Sequence, residues 1–184
     1  MTESIILNVF IEISKGSHIK YEYDPKMGAL VCDRILHTPF KYPFNYGFVP
    51  ETLSEDGDPL DVVLLMDNEV VPGCNIMCKI LGYLDTEDDD GYDPKLIVCP
   101  VDKVCPISKG INNIIDIDPF TLNKIKYFFE HYKDLENKKV KVGNFYNMSC
   151  AEAVYNRSIE RFLDTKKDTT QKNLITNYFS HLCN

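Results

Sequence analysis

The apolar residues of this chain change their spacing about two-thirds of the way along it, and this change limits the fold class. In residues 5–13 apolar side chains recur at every second position, as is typical of a half-buried strand. The alternation predicts that Ile11 and Ile13 share one face of that strand and that Glu12 lies on the other. Successive short strands of this kind predict a closed or sandwiched β-core. Further strands, separated by Gly, Pro and acidic turns, are predicted at 18–24, 29–36, 61–66, 74–84 and 95–100.

The helical signals lie in the last third of the chain. Asp118 followed by Pro119 combines a capping residue with a first-turn proline, and it predicts a helix over 119–133. A capping box at Ser149 opens a second predicted helix that runs to about Leu163. Both segments carry apolar residues at helical spacing, so each helix is expected to pack one face against the β-core.

The size and composition of the chain predict one domain. A protein of 184 residues with 44% hydrophobic residues can bury one sizeable core. We expect this domain to cover 1–163 and a C-terminal extension to cover 164–184, with a polar linker at 164–173 followed by a short helix. The N-terminus carries no charged and apolar leader, and no apolar run approaches the ~20 residues of a membrane span. A cytoplasmic protein without membrane contact is therefore expected.

Charge and cysteine content argue against two further classes. The chain has 28 Asp plus Glu against 20 Lys plus Arg, a formal net charge of -8. Nucleic-acid backbones are held mainly by Lys and Arg, so no nucleic-acid partner is expected. The seven cysteines are an odd number without a CxxC pair, which favours reduced thiols in the core over a disulfide framework or a zinc site.

The densest chemical signal is the acidic run EDGDPLD at 55–61, directly before an apolar strand. Such crowded carboxylates repel one another unless a cation or solvent compensates them. A solvated turn would explain this run alone, whereas an EF-hand is excluded by its spacing. A second acidic group at 85–93 would alone indicate a flexible hairpin loop. Together the two favour a multi-metal site, because hard cations such as Mg²⁺ need several carboxylates from different loops.

Cationic and phenolic side chains accompany these carboxylates along the chain. Each has an ordinary explanation on its own, as a surface cation or as a buried tyrosine with a paired hydroxyl. In combination with metal-binding carboxylates they suit phosphoryl transfer, which is catalysed by positioning and by neutralising charge on phosphate oxygens. Strand periodicity also predicts that Lys20 and Glu22 share one face. The cationic and phenolic residues are Lys20, Arg34, Tyr42, Tyr46, Tyr132 and Lys133.

Several segments of the chain, in this order, closely resemble the family I soluble inorganic pyrophosphatases. The resemblance runs from about Ile5 to Leu163, and the DGDPxD signature before a strand is specific to that family. It implies a mainly β fold with α, a five-stranded OB-like β-barrel flanked by two or three helices. It also implies hydrolysis of pyrophosphate to two phosphates with Mg²⁺. The segments are IEI at 11–13, IKYE at 19–22, GAL at 28–30, DR at 33–34, YPFNYG at 42–47, DGDPLD at 56–61 and FFEHYK at 128–133.

The resemblance implies a role for each matching residue. Asp58 matches the general base that takes a proton from the attacking water. Asp88 matches a ligand of a further metal that binds with the substrate, although a small gap would move that role to Asp85, Asp89 or Asp90. The other metal ligands are Asp56, Asp61 and Asp93. The phosphate contacts are Lys20, Arg34, Tyr46, Tyr132 and Lys133, and the supporting residues are Glu12, Glu22, Tyr42 and Lys95.

The resemblance further implies a mechanism in which two cations bridge one water molecule and Asp58 removes its proton. About three to four Mg²⁺ would bind per active site with substrate, and Mn²⁺ or Zn²⁺ could substitute for them. The short chain resembles the bacterial form of the family, which implies a homohexamer built as a dimer of trimers. The alternatives are an OB-like module that binds single-stranded nucleic acid, a Ca²⁺-binding structural protein and a nucleotide phosphohydrolase.

Overall fold

A computed structural model describes residues 4–89, 91–136 and 138–182, with side chains described as far as residue 167. These residues form strands, two α-helices and short 3₁₀ turns, among them the turn Asp134–Glu136. The strands are β1 (Ile6–Ile13), β2 (Ile19–Asp24), β3 (Ala29–Ile35), β4 (Asn45–Phe48), β5 (Asp61–Leu64), β6 (Asn75–Asp88), β7 (Gly91–Tyr92), β8 (Lys95–Pro100) and β9 (Lys141–Asn147). The helices are α1 (Pro119–His131) and α2 (Met148–Leu182).

Five strands close into a barrel in the order β1-β4-β5-β8-β6, and β6 pairs with β1 to complete the ring. Within the ring β5 and β8 are parallel, and the other neighbours are antiparallel. β7 and β9 extend the sheet from β6, while β2 and β3 form a separate hairpin. The predicted five-stranded barrel with flanking helices is therefore confirmed.

A bulge in β1 changes which side chains face the core. Ile11 lies opposite Gly47 of β4, but Ile13 lies opposite the very next residue, Tyr46. Because the bulge adds one residue to β1, it shifts the alternation of side chains between the two faces of the strand by one position. Ile11 and Ile13 consequently belong to different apolar clusters, so the prediction that they share one face is wrong. Glu12, between them, is buried.

Two apolar clusters lie on opposite faces of the barrel strands and receive one helix each. Val62 and Leu64 of β5 belong to the cluster that also contains Ala151 of α2. Val63, between them, belongs to the cluster that contains Phe129 of α1. Because successive strand residues point to opposite faces, α1 and α2 cover different faces of β5. Both helices thereby bury an apolar face against the barrel, as their spacing predicts.

Helix α1 begins as the capping signal predicts. The Asp118 carboxylate accepts hydrogen bonds from Phe120 N at 2.9 Å and from Thr121 N at 3.1 Å. These contacts satisfy two backbone N–H groups that the first helical turn leaves without partners. The helix ends at His131, with Tyr132 as its C-terminal cap.

Helix α2 is longer than the sequence pattern predicts. It begins at Met148 and continues without interruption to Leu182, so the predicted polar linker at 164–173 is wrong. The segment is polar, but α2 contains neither Gly nor Pro, the residues that most strongly end a helix. Neither α2 nor any other helix in the described part of the chain is both long and apolar enough to cross a membrane.

The predicted strand set is incomplete. β4, β7 and β9 lie outside the predicted strands, and β6 runs to Asp88, beyond its predicted end at 84, before it forms a hairpin with β7. β4 is short and contains Asn and Gly, which have low strand propensity. Pairing with β1 on one side and β5 on the other nevertheless fixes it as a central strand. Its place depends on these neighbours rather than on its own sequence.

The six described cysteines are free thiols, but most of them are not in the core. Burial raises the pKa of Cys99 to about 11. Among the described cysteines the prediction of buried thiols is therefore correct for two and wrong for the other four, which lie on strand faces, in loops and at the start of α2. Cys78 and Cys99 are buried, Cys105 is half-buried, Cys32, Cys74 and Cys150 are exposed, and Cys183 lies outside the described residues.

Candidate active site

Acidic residues gather where two parallel barrel strands begin. Asp61 is the first residue of β5 and Lys95 the first residue of β8, and the pairing of Val62 with Leu96 sets them side by side. Asp93 lies two residues before Lys95. The loop that precedes β5 adds Asp56 and Asp58 to this end of the barrel, because it leads directly into Asp61. Residues of both acidic runs therefore meet at one end of the barrel.

The Lys95 ammonium lies between two of these carboxylates. Its Nζ is 2.5 Å from Asp61 Oδ2, and it also pairs with Asp93. The Tyr46 hydroxyl donates to the same oxygen of Asp61 at 2.5 Å. Burial opposes the charge of Lys95, but Asp61 and Asp93 outweigh it and raise the pKa of the ammonium. Lys95 is therefore charged, and it compensates two half-buried carboxylates.

The remaining carboxyl groups are held in a common field of negative charge. Burial raises the pKa of Asp56, of Asp58 and of Asp93, and the neighbouring Asp61 raises each of them further. Burial also raises the pKa of Glu12 to about 8, although Tyr23 N donates a hydrogen bond of 2.7 Å to its Oε1. Repulsion of this kind decreases when a divalent cation binds between the carboxylates.

The donor set fits Mg²⁺, which prefers carboxylate oxygens and keeps several of its waters. As the side chains stand, residues 4–89, 91–136 and 138–167 contain no group of three or more His, Cys, Asp or Glu arranged to hold an ion. The Lys95 ammonium instead bridges Asp61 and Asp93. A cation bound by both aspartates would therefore require Lys95 to shift toward one of them.

The β2–β3 hairpin carries two of the predicted phosphate-binding cations. Its register places Lys20 opposite Arg34. Lys20 pairs with Glu22 on the same strand, which confirms the predicted shared face, and its Nζ is 3.5 Å from Asp33 Oδ2. Arg34 reaches Asp33 Oδ2 at 2.5 Å and, through Nε, Glu136 at 3.1 Å. Both cations are thus held in place by carboxylates that surround the site.

The C-terminal end of α1 supplies two more of the predicted phosphate contacts, Tyr132 and Lys133. Lys133 Nζ is 3.0 Å from Asp88 Oδ2 at the end of β6 and lies 5.4 Å from the ring centroid of Tyr132. The Tyr132 phenol interacts electrostatically with Arg34 and with Lys95. Tyr132 therefore connects the hairpin, the barrel end and α1.

Two buried phenols complete the arrangement. Burial raises the pKa of Tyr42 well above its usual value, and Tyr132 adds to the effect. Burial and the nearby Asp61 raise the pKa of Tyr46 in the same way. Both hydroxyls consequently remain protonated, and that of Tyr46 donates to Asp61 Oδ2. Their rings are 5.6 Å apart and belong to one aromatic cluster, defined here as Tyr42, Phe44, Tyr46, Phe128, Phe129 and Tyr132.

The structure brings every predicted site residue into one connected set of charges and phenols. Asp58, for example, interacts electrostatically with both Lys20 and Lys95, and Asp88 joins through Lys133. Two further residues contact this set although the sequence analysis assigned them no role. Asp33 could have been noticed because it precedes Arg34 in the sequence, whereas Glu136 carries no local signal and is recognised only by its contact with Arg34.

A closed β-barrel with carboxylates, cations and phenols gathered at one end defines a class of protein suited to binding metal cations and polyanions together. Comparison with known proteins identifies the family within this class. Residues 9–163 match the family model of inorganic pyrophosphatase.

Relatives and solved structures agree with this match. An inorganic pyrophosphatase of Helicobacter pylori is 48% identical over 157 residues, which are 85% of this chain and 91% of the relative. That of Agrobacterium fabrum is 45% identical over 158 residues, which are 85% of this chain and 89% of the relative. A solved inorganic pyrophosphatase from Coxiella burnetii is 43% identical, with a TM-score of 0.84, covering 88% of this chain and 97% of that one. The chain belongs to the inorganic pyrophosphatase family, which confirms the resemblance that the motifs predicted.

Proposed function

We propose that this protein hydrolyses inorganic pyrophosphate to two orthophosphates and that Mg²⁺ is its cofactor. The observation that carries the proposal is the convergence of Asp61, Asp93 and Lys95 with cations from the hairpin and from α1 at one end of the barrel. A substrate with several negative charges needs both kinds of group, because its own charge must be neutralised before a nucleophile approaches. The names of the relatives support the choice of pyrophosphate.

In this proposal Asp56, Asp61 and Asp93 hold divalent cations, and Asp88 holds a further cation that arrives with the substrate. Divalent cations, when bound, lower the pKa of a coordinated water towards neutrality and neutralise charge on phosphate oxygens. About three to four Mg²⁺ would be held per site with substrate, and Mn²⁺ or Zn²⁺ could replace them because each accepts carboxylate oxygens.

Asp58 would take the proton of the attacking water. Its backbone N–H donates to Asp56 Oδ1 at 3.1 Å, and its backbone carbonyl accepts from Ser54 N at 2.7 Å. These bonds fix the turn on which the carboxylate is carried. A general base must lie within hydrogen-bond reach of the proton that it accepts, and the turn keeps Asp58 beside the metal-binding Asp56. Glu12, Glu22, Tyr42 and Lys95 would support the groups around it.

Lys20, Arg34 and Lys133 would contact the phosphate oxygens, together with the hydroxyls of Tyr46 and Tyr132. The water oxygen forms a bond to one phosphorus, the bridging oxygen leaves with the second phosphate, and its electron pair stays on that leaving group. Arg34, Lys133 and Tyr132 would stabilise the charge that grows there, because cations and hydroxyl donors act most strongly where charge develops. Arg34 is suited to this task, since its planar fork binds phosphate through two donors.

We also propose a homohexamer built as a dimer of trimers, located in the cytoplasm. Light scattering of the purified protein measures the number of 21.2 kDa subunits per particle. A monomer at working concentration would contradict this part of the proposal without affecting the activity.

Colorimetric measurement of released phosphate tests the proposed activity. We expect phosphate release from pyrophosphate with Mg²⁺ and none with EDTA, since the carboxylate set alone cannot neutralise the substrate. Nucleoside triphosphates should release far less phosphate, which separates this activity from that of a nucleotide phosphohydrolase. A protein that is inert towards pyrophosphate across several millimolar Mg²⁺ and about pH 6 to 9, a range that brackets the pKa of a metal-bound water, would refute the proposal.

The Lys20–Glu22 pair gives a separate test of the hairpin. Lys20→Met should lower turnover by about a hundredfold, as expected for the loss of one well-placed charge-stabilising donor. Glu22→Gln should mainly raise the Mg²⁺ concentration needed for half-maximal rate. Lys26→Met, in the exposed turn of the same hairpin, is the matched control and should be unchanged. Unaltered kinetics in both site variants would remove this hairpin face from the active site.

A further inference from the structure

Helix α2 contacts residues 53–55, at the start of the loop that carries Asp56 and Asp58, mainly through one arginine. The Arg161 guanidinium donates to the carbonyl oxygen of Leu53 at 2.7 Å and to Glu55 Oε1 at 2.9 Å. The same helix accepts a hydrogen bond of 3.0 Å from Leu53 N on its Ser158 carbonyl oxygen. Residues 53–55 are therefore tied to α2 by three hydrogen bonds, two of them from one side chain.

This segment sets the geometry of the turn that carries Asp56 and Asp58. Ser54 is buried, its N–H donates to the Asp58 carbonyl at 2.7 Å, and its own carbonyl accepts from Gly57 N at 3.3 Å. Gly57 has a φ of 97°, a conformation that an L side chain rarely adopts. The turn is consequently built on Ser54, and a movement of 53–55 would move both aspartates.

The two ends of the acidic loop are supported differently. Thr52 is buried, and its hydroxyl donates to the Val49 carbonyl at 2.6 Å and accepts from Leu60 N at 2.9 Å. The barrel thus fixes the base of the loop close to Asp61. Residues 53 and 55 are instead held by α2, through the side chain of Arg161 and the carbonyl oxygen of Ser158.

We propose that Arg161 is a positioning residue, which holds the loop so that Asp56 and Asp58 face a divalent cation bound by Asp61. The inference rests on the proposed function and adds to it a residue on a helix that none of the site residues occupies. Arg161 also forms an ion pair with Glu55, the first carboxylate of the acidic run, so the Glu55 carboxylate is held towards α2. The ion pair is partly exposed, with 36% and 53% of the two side chains accessible, so it contributes little to stability. Its value lies in the placement of the loop.

The test measures binding of Mn²⁺ alone by electron paramagnetic resonance, without substrate. Arg161→Met should weaken Mn²⁺ binding by about tenfold, which is typical of losing a group that orients metal ligands. Arg161→Lys should restore binding only in part, because an ammonium lacks the planar fork that reaches two separate acceptors. Lys167→Met, on the same helix and paired only with Asp164 among the described contacts, is the matched control and should bind Mn²⁺ like the wild type.

Kinetics separates positioning from a loss of structure. Arg161→Met should require about tenfold more Mg²⁺ for half-maximal rate, and its turnover at saturating Mg²⁺ should also fall, because the displaced loop carries the proposed base Asp58. Glu55→Gln removes only the charged partner and should show a smaller shift in the same direction, which keeps the test available if Arg161→Met does not fold. Mn²⁺ binding within twofold of the wild type in Arg161→Met, or in Glu55→Gln if that variant alone folds, would overturn the inference. Mn²⁺ binding needs no turnover. A wild type that is inert towards pyrophosphate would therefore refute the proposed function, whereas the role of Arg161 would still be decided by the Mn²⁺ binding of its variants.

Discussion

Asp61→Asn is expected to lower the turnover of pyrophosphate by at least about a hundredfold without unfolding the protein. Asp61 Oδ2 accepts hydrogen bonds of 2.5 Å from the Tyr46 hydroxyl and from Lys95 Nζ, so it is the shared acceptor of the site. The amide has the same shape and retains one acceptor oxygen, but it loses the charge that would hold the cations. Lys95 then has Asp93 as its remaining carboxylate partner.

The measurement compares turnover, Mg²⁺ dependence and thermal unfolding with those of Asp67→Asn. Asp67 follows β5 in the same stretch of chain and is exposed, so its substitution controls for the loss of one negative charge. Turnover close to that of the wild type in Asp61→Asn would reduce Asp61 to a turn residue and would remove the central ligand from the proposed site.

Some neighbours within the candidate site could be predicted because they lie close together in the sequence. Lys20 and Glu22 fall on one face through strand period alone, and their ion pair confirms it. The run at 55–61 is similarly local, since Asp56, Asp58 and Asp61 share one loop and the strand that follows. Their roles as ligands and base remain predictions.

The contacts that hold these residues could not be predicted, because they join positions far apart in the chain. Arg34 and Glu136 are 102 residues apart, and Arg161 and Leu53 are 108 apart. The placement of Lys95 between Asp61 and Asp93 likewise depends on the parallel pairing of β5 with β8. Nothing in the local pattern of these residues specifies a partner.

Two errors in the predicted fold have the same physical origin. The bulge after Ile11 follows from the pairing of β1 with β4, and the sequence of β1 by itself alternates regularly through Ile13. The predicted linker also rests on local sequence alone, and polar composition does not end a helix where no residue in 164–173 prevents one. Local patterns give the type of an element more reliably than its register or its end.

Phe129→Ala is expected to have the largest effect on stability, about 3 to 5 kcal/mol of the free energy of unfolding. Only 2% of Phe129 is accessible, and its ring stacks on Phe44 with centroids 5.5 Å apart. Its ring centroid is also 5.8 Å from that of Tyr132, which it meets edge-on, and 6.2 Å from that of Tyr46. Phe129 therefore packs against two phenols of the proposed site. Truncation removes buried apolar surface and leaves a cavity that the rigid barrel cannot fill.

Urea unfolding measures this effect, with Phe120→Ala on the same helix as the control. Phe120 is 68% accessible, so its truncation should change the free energy of unfolding by less than about 1 kcal/mol. Because Phe129 supports Tyr46 and Tyr132, the folded fraction of Phe129→Ala should also turn over pyrophosphate more slowly than the wild type. Phe129→Leu retains most of the apolar volume and should recover much of the stability but less of the activity, since a branched chain cannot stack between the two phenols. Full activity in a strongly destabilised Phe129→Ala would show that the aromatic cluster stabilises the fold without positioning the hydroxyls.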